Sequence, residues 1–417
     1  MLGHAPVRWW RRGTQRRLGQ VAAVIVLCVA LPFLTAFGSF REPGLLPGNS
    51  PDETPFSLAA LSRLRAQPAP PAITAHSAIV WDETNKTELY SKAPDDRVAP
   101  ASTTKMLTAL LTIELVPLTT VVTIEAGDLN QPDESSMGLQ VGDVVTVESL
   151  LYGILLPSGG DAANAAARVT GAALLAGAPG DPVARFVQEM NARVAKWGLA
   201  NTHFVNPHGD DAPGQYSSAR DLLRIASEAL GNTVFAKIVA TPQLTVRTVN
   251  GSRTFNLVNT NALLTQRPGV HGVKTGTTPA AGDCLITAQW GPGGRILAVV
   301  MGSAHDQRFS DTTILLDWVN AAYRWVSLGQ DARLPGLAMA LARWGVEFHG
   351  NQVAVLQTWE VPSLRYQLLL GAGAGKDGER GQVVFSTATR QVLSLPVYAK
   401  PAPKSSGGSA LTVLVKP

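Results

Sequence analysis

The stretch PASTTKML, Pro100–Leu107, sets a serine and a lysine three residues apart where an apolar helical pattern begins. Met106, Leu107, Leu110, Leu111 and Leu115 recur at the spacing of a buried stripe, so a helix is expected from about Ser102 to Leu115. Residues three apart on a helix share a face, which brings the Lys105 amine within reach of the Ser102 hydroxyl. Two readings are open from these residues alone. Ser102 is the cap of an ordinary helix with an exposed lysine behind it, or it is a nucleophile with Lys105 as its base.

Two further motifs lie downstream. VESLLYGILLPSGGDAANAAARV reads as two helices broken at Pro157–Gly160, and a polar turn inside a buried stretch is a place where function sits. Later, VHGVKTGT has strand character and carries Lys274, Thr275 and Gly276. Three elements in this order, Ser102–Lys105, then Ser158, then Lys274, are much harder to obtain by chance than any one of them. A serine at a helix N-terminus offers its own N–H as half of an oxyanion hole. Lys105 is a base only when neutral; burial and a neighbouring cation such as Lys274 would lower its pKa from about 10.4 toward 7. Gly276 would let a substrate backbone lie close against a strand edge, the Thr277 N–H would complete the oxyanion hole, and substrate would bind by strand addition.

Around these motifs the chain reads as exported and modular. Its 417 residues, 45% hydrophobic, suffice for two or three domains. The net charge of +4 belongs to the tip: without Arg8, Arg11, Arg12, Arg16 and Arg17, 30 basic residues face 31 acidic ones, which leaves no nucleic-acid footprint. Residues 1–20 form a basic cytoplasmic tip, with Trp9 and Trp10 suited to a membrane interface, and the uncharged run 21–37 is a signal peptide or a membrane anchor. Residues 38–71 are a Pro-rich linker, with one short helix expected at Ser57–Gln67. His76–Ala93 reads as a hairpin turning at Glu83–Lys86, and Pro182–Lys196 as a helix capped by Asp181 and ended by Gly198. Ile314–Val326 reads as a closing helix. Residues 72–330 would thus be one α+β domain with an antiparallel sheet, residues 335–403 a small β-rich domain, and 404–417 a tail. Cys28 and Cys284 make no disulfide framework, and no His or Cys cluster has zinc-ligand spacing, so neither metal nor cofactor is expected.

Taken together, these motifs resemble the serine D-alanyl-D-alanine carboxypeptidases, the low-molecular-mass penicillin-binding proteins of peptidase family S11 that trim the peptide stems of bacterial peptidoglycan. The resemblance covers roughly residues 72–326. It extends to FVQEMNARVAKWGLANTHFVNPHG (Phe186–Gly209), GQYSSARDL (Gly214–Leu222) and HGVKTGTTPAAGDCL (His271–Leu285). It implies the β-lactamase/penicillin-binding-protein transpeptidase fold, extracytoplasmic action on peptidoglycan stem peptides, and inhibition by β-lactams, with membrane attachment through the N-terminal segment if that is not cleaved. It implies that Ser102 attacks the penultimate D-alanine carbonyl with help from Lys105, and that Ser158 relays protons between Lys105, Lys274 and the leaving amine. Thr275 and Thr278 would hold the terminal carboxylate.

Two positions depart from the family pattern. Where Ser-x-Asn is usual, this chain has Gly160, which removes an amide able to bind substrate backbone and orient Lys105; such a loss costs about 10- to 100-fold in rate. Asp161 and Asn164 stand nearby, with helix capping and helix surface as their plainer readings. Where some members place a carboxylate-binding arginine in the strand before Lys-Thr-Gly, this chain has Thr260, so either Arg253 or Arg267 would substitute or the carboxylate would rely on the threonines and Lys274. Alternatives are a penicillin-binding or wall-binding protein impaired by Gly160, and a serine β-lactamase, for whose deacylating carboxylate Glu228 is the nearest candidate. His203 and His208 read as loop and packing residues, and Arg220–Asp221 as a helix-start ion pair.

Overall fold

The computed structural model describes residues 40–43, 62, 68–130, 134–329, 334–350, 352–371 and 376–400. The basic tip, the apolar run 21–37, nearly all of the linker and its expected helix, and the tail lie outside the described residues. Among the described residues, no helix is long and apolar enough to cross a membrane.

The chain opens with the expected hairpin, β1 (Ser77–Asp82) and β2 (Thr87–Lys92). Helices follow: α1 (Lys105–Leu115), α2 (Val147–Leu155), α3 (Gly160–Leu175), α4 (Pro182–Lys196) and α5 (Ala219–Gly231). After a short helix, Thr233–Val239, and a two-stranded ribbon, Gln243–Arg247 with Thr254–Val258, come three long strands, β3 (Val270–Thr278), β4 (Gly282–Gly291) and β5 (Gly294–Ser303), and then α6 (Arg308–Ala322). The five strands form one antiparallel sheet in the order β2-β1-β5-β4-β3, so β3 is an edge.

Both faces of this sheet are covered. In β5, Leu297, Val299 and Met301 join the core shared with the helices α1 to α5, while Ile296, Ala298 and Val300 join a second core capped by Leu315, Leu316 and Val319 of α6. Successive strand residues point to opposite faces, so a doubly covered strand reads as an unbroken apolar run rather than an alternation. In α4 the Asp181 carboxylate accepts from the Val183 N–H, Pro182 opens the helix, and Phe186, Met190 and Val194 are buried.

Helix α6 starts six residues earlier than Ile314 and stops at Ala322, because Tyr323–Ser327 becomes a strand paired with Val353–Gln357. Tyr323 is turned inward there, and its hydroxyl donates to the Leu89 carbonyl at 2.7 Å. The remaining chain starts with a helix, Pro335–Arg343, and then builds a second antiparallel sheet. Its central strands are β6 (Arg365–Leu370), β7 (Glu379–Ser386) and β8 (Gln391–Ala399), flanked by Phe40–Pro43 and Val346–Glu347. This sheet has an apolar core of its own, including Leu356, Leu368, Val383 and Phe385.

Candidate active site

Ser102 lies in a 3-10 turn, Ala101–Thr104, that runs into α1 at Lys105. Its hydroxyl caps neither element, which corrects the capping reading: the Ser102 Oγ instead accepts from Lys105 Nζ at 2.8 Å. Nζ also donates to the His208 carbonyl at 2.6 Å, so the amine is fixed by one local and one distant acceptor. Ala101 is held in the left-handed region at φ 50° just before the serine, and Ser158 at φ 67°. Such conformations cost a non-glycine residue roughly 1–3 kcal/mol, and they persist where the surroundings over-determine them.

Lys105 is buried, and burial pulls its pKa down to about 8. Asp210, Glu134 and Asp161 oppose that shift. The role expected for Lys274 runs the other way: burial first, and then the charges of Lys105 and Arg308, hold Lys274 well below its ordinary value. Asp210 is pushed down to about 2, chiefly by the hydrogen bond from His208. His208 is the loop residue expected, its ring set between Asn164 Oδ1 at 2.9 Å and Asp210 at 3.2 Å. His203 packs on Tyr216 and bonds the Gly214 carbonyl.

The 3-10 turn is pressed between two backbones. A Cβ on Gly276 would stand 3.0 Å from the Ser102 nitrogen and 3.0 Å from Ala101 Cβ, and one on Gly209 only 1.9 Å from the Ala101 carbonyl oxygen. The glycine of Lys-Thr-Gly is therefore demanded by the protein's own packing around Ser102, where the sequence pointed to room for substrate. Because β3 is an edge strand, one side of Lys274–Thr278 pairs with β4 and the other has no strand neighbour among the described residues.

Ser158 stands in the break between α2 and α3; its Oγ is buried and has no hydrogen-bond partner among the described residues. Gly160 is the first residue of α3, and the space beside its Cα is filled by the Asn130 carboxamide. Asp161, far from being a simple helix cap, accepts from Met137 N–H at 2.8 Å, Gly138 and Leu139 N–H at 3.0 Å each, and Ser136 Oγ at 2.6 Å. It ties the 136–139 segment to the Ser158 turn. Asn164 bonds His208 and the Asp128 carbonyl.

These elements enclose a cleft of about 330 Å³ lined by Ser102, Ser135, Ser158, Thr260, Thr275, Gly276, Thr277, Arg308 and Phe309. Lys105 and Lys274 are buried beside it, 2% and 1% exposed. Thr260 and Thr275 share a hydrogen bond at 2.6 Å. Thr277 receives a hydrogen bond from Arg308 and donates to Asp283 at 2.9 Å, whereas Thr278 gives its hydroxyl to Asp211 at 2.7 Å.

The arginine at the cleft is Arg308, which also donates to the Gly276 carbonyl at 2.9 Å. Arg253 is paired with Asp143 and Arg267 with Asp317, and neither lines the cleft. The signal for Arg308 was hairpin length: β4 and β5 pair Ser303 with Asp283, which returns the chain to Thr277 just as α6 begins. The Arg220–Asp221 ion pair is also corrected. Adjacent residues on a helix diverge, so Arg220 meets Asp95 and Glu88 while Asp221 accepts from Asn201 N–H and Thr202 Oγ1. Glu228 pairs with Arg224 along α5 and does not line the cleft.

Comparison with known proteins places the geometry in a family context. The profile of peptidase family S11, described as D-alanyl-D-alanine carboxypeptidase, matches residues 64–305. The D-alanyl-D-alanine carboxypeptidase of Streptomyces sp. (strain K15) is 36% identical over 281 residues, 64% of this chain and 95% of that protein. The crystal structure of the Streptomyces K15 DD-transpeptidase superposes with a TM-score of 0.57 at 36% identity, covering 61% of this chain and all of that one. The crystal structure of penicillin binding protein 6B from Escherichia coli gives a TM-score of 0.61 at 28% identity, over 79% of this chain and 96% of that one.

Proposed function

The chain belongs to the S11 family of D-alanyl-D-alanine carboxypeptidases, which are serine hydrolases, and we propose that it removes the terminal D-alanine of peptidoglycan stem peptides through an acyl-enzyme on Ser102. The observation that carries this reading is the 2.8 Å contact between Lys105 Nζ and Ser102 Oγ in a cleft walled by Ser158 and the open edge of β3.

Neutral Lys105 takes the Ser102 proton as Oγ attacks the penultimate carbonyl, and the Ser102 and Thr277 N–H groups receive the developing oxyanion. Ser158, with buried Lys274 beside it, relays that proton from Lys105 to the leaving amine, so Lys105 is neutral again as the bond to the terminal D-alanine breaks. Lys105 then takes a proton from water as the water oxygen attacks the ester, and hands it back to Ser102 Oγ when the acyl group leaves. Arg308, with Thr275 and Thr277, supplies the positive, donor-rich end for the substrate's terminal carboxylate; its guanidinium suits that group better than a lone hydroxyl does. Substrate lies along β3 as an added strand. β-Lactams, which present an acyl group and a carboxylate together, acylate the same serine. The substrate sits in the cell wall, so the enzyme acts outside the cytoplasm, and the N-terminal apolar run exports it or anchors it.

The test incubates the purified chain with a D-Ala-D-Ala-terminated stem peptide and with a fluorescent penicillin, alongside Ser102→Ala. D-Alanine release and labelling are expected from the wild type and neither from the variant. A wild type that does neither would sink the reading, and rapid turnover of penicillin would make it a β-lactamase.

A further inference from the structure

A Cβ built on Gly160 would lie 2.7 Å from Asn130 Nδ2, 3.1 Å from its Cγ and 3.1 Å from its Oδ1. A carboxamide from a distant segment thus lies against the Gly160 Cα, in the volume a side chain at 160 would need. Its placement is built on one face of α3. Residues 160, 164 and 168 follow at one-turn intervals. The Gly160 N–H donates to the Ser135 carbonyl at 2.8 Å, Asn164 Nδ2 to the Asp128 carbonyl at 3.3 Å, and Arg168 to the Asp128 carboxylate at 2.8 Å. These contacts lay residues 128–130 along the helix start.

Asn130 Nδ2 donates at 2.7 Å to the same Ser135 carbonyl that receives the Gly160 N–H. Ser135 in turn walls the cleft together with Ser102 and Ser158. Asn130 Oδ1 is buried and has no partner among the described residues. An unpaired buried amide oxygen is destabilising, so a residue needed only to fill this volume would be served better by an apolar side chain.

We propose that Asn130 is a positioning residue of the active centre: it brings to the Ser158 turn, from outside that motif, the amide that position 160 does not carry, and through the Ser135 carbonyl it holds the cleft wall in register with Ser102. The proposal rests on acylation of Ser102. One place serves both residues, so a side chain at 160 would displace the Asn130 carboxamide from where it now lies. Either single change breaks the arrangement, and the paired exchange restores it.

The experiment measures acylation by a fluorescent penicillin, kcat and KM for D-alanine release, and melting temperature. The variants are Asn130→Gly, Asn130→Leu, Gly160→Asn and the double exchange Asn130→Gly with Gly160→Asn. Both Asn130 variants should acylate about 10- to 100-fold more slowly, through kcat rather than KM. Gly160→Asn should slow as well, because its side chain collides with the amide already there. The double exchange should return to within about fivefold of the wild type, a coupling that independent sites do not show. Asn130→Leu keeps the volume and removes the hydrogen bond, so a normal rate in that variant would reduce Asn130 to packing and overturn the proposal. A double variant no faster than the slower single would overturn it too. If Asn130→Gly fails to melt cooperatively, Asn130→Leu and the double exchange decide the matter. A wild type that is not acylated overturns the activity reading and this proposal with it, whereas a normal wild type with an unaffected Asn130→Leu overturns this proposal alone.

Discussion

Ser102 and Ser158, two of the serines that face the cleft, are held by different kinds of contact. Ser102 meets Lys105 within one stretch of chain, three residues apart, at 2.8 Å. Ser158 has no such neighbour: its turn is fixed by Asp161 reaching to residues 136–139, by the Ser135 carbonyl, and by Asn130 lying over Gly160. The 3-10 turn running into α1 brings the first pair together within one stretch of chain. The second exists only when the surrounding loops have docked, so it should be the easier one to dismantle without touching a reacting atom.

Asp161→Ala breaks the second wall most directly. It leaves the buried Met137 and Leu139 N–H groups without their acceptor, and chemical denaturation should show a loss of about 3 kcal/mol. Acylation of Ser102 should fall with it, although the Ser102–Lys105 contact is retained. Stability within about 0.5 kcal/mol of the wild type, the range of an ordinary surface change, would mean that the 136–139 segment is held by something else.

Arg308 extends the comparison from the proposed reacting groups to a group proposed to hold substrate. It comes from the far end of the β4–β5 hairpin and reaches the cleft only because that hairpin folds back beside Thr277. Arg308→Leu should lower kcat/KM for a stem peptide by about 10- to 100-fold. The same substitution should have little effect on a peptide whose terminal carboxylate is capped as an amide. Equal losses on the two peptides would show that Arg308 acts on the fold of β3 rather than on the carboxylate.

This division also explains what could be read in advance. The i, i+3 spacing of Ser102 and Lys105, the cap of α4 by Asp181 and the hairpin at residues 77–92 are consequences of local geometry, and each is legible in a short window. The reach of Asp161 to residues 136–139, the Asn130 amide above Gly160 and the arrival of Arg308 depend on which distant segments dock together. No periodicity encodes that. Gly160 illustrates the point: as a letter in the Ser158 motif it reads as a missing amide, and in three dimensions it is the vacancy another amide requires. The end of α6 failed for a related reason, since Tyr323–Val326 is apolar enough to continue a helix and becomes a strand only because Val353–Gln357 is there to pair with it.

Even the local wall is tuned from a distance, and pH measures how strongly. Burial lowers the Lys105 pKa to about 8 against the pull of Asp210, Glu134 and Asp161. Asp210, itself pushed down to about 2, stays ionised throughout the useful range. In the proposed mechanism only neutral Lys105 accepts the serine proton, so acylation should rise about tenfold from pH 7 to pH 9 and level off. Stability has a different window. Below about 8 both folded and unfolded states bind the lysine proton, and the cost of burying the charge is constant. Between about 8 and the ordinary value of 10.5 the unfolded state binds more protons, so stability rises with pH there. Lys105→Met should abolish the rate and remove its share of that rise. A rate profile flat between pH 7 and 9 would show that burial does not set the base. In Asp161→Ala the limb should move to lower pH, because the carboxylate that opposes the shift is gone, and that displacement would couple the two walls through charge as well as through contact.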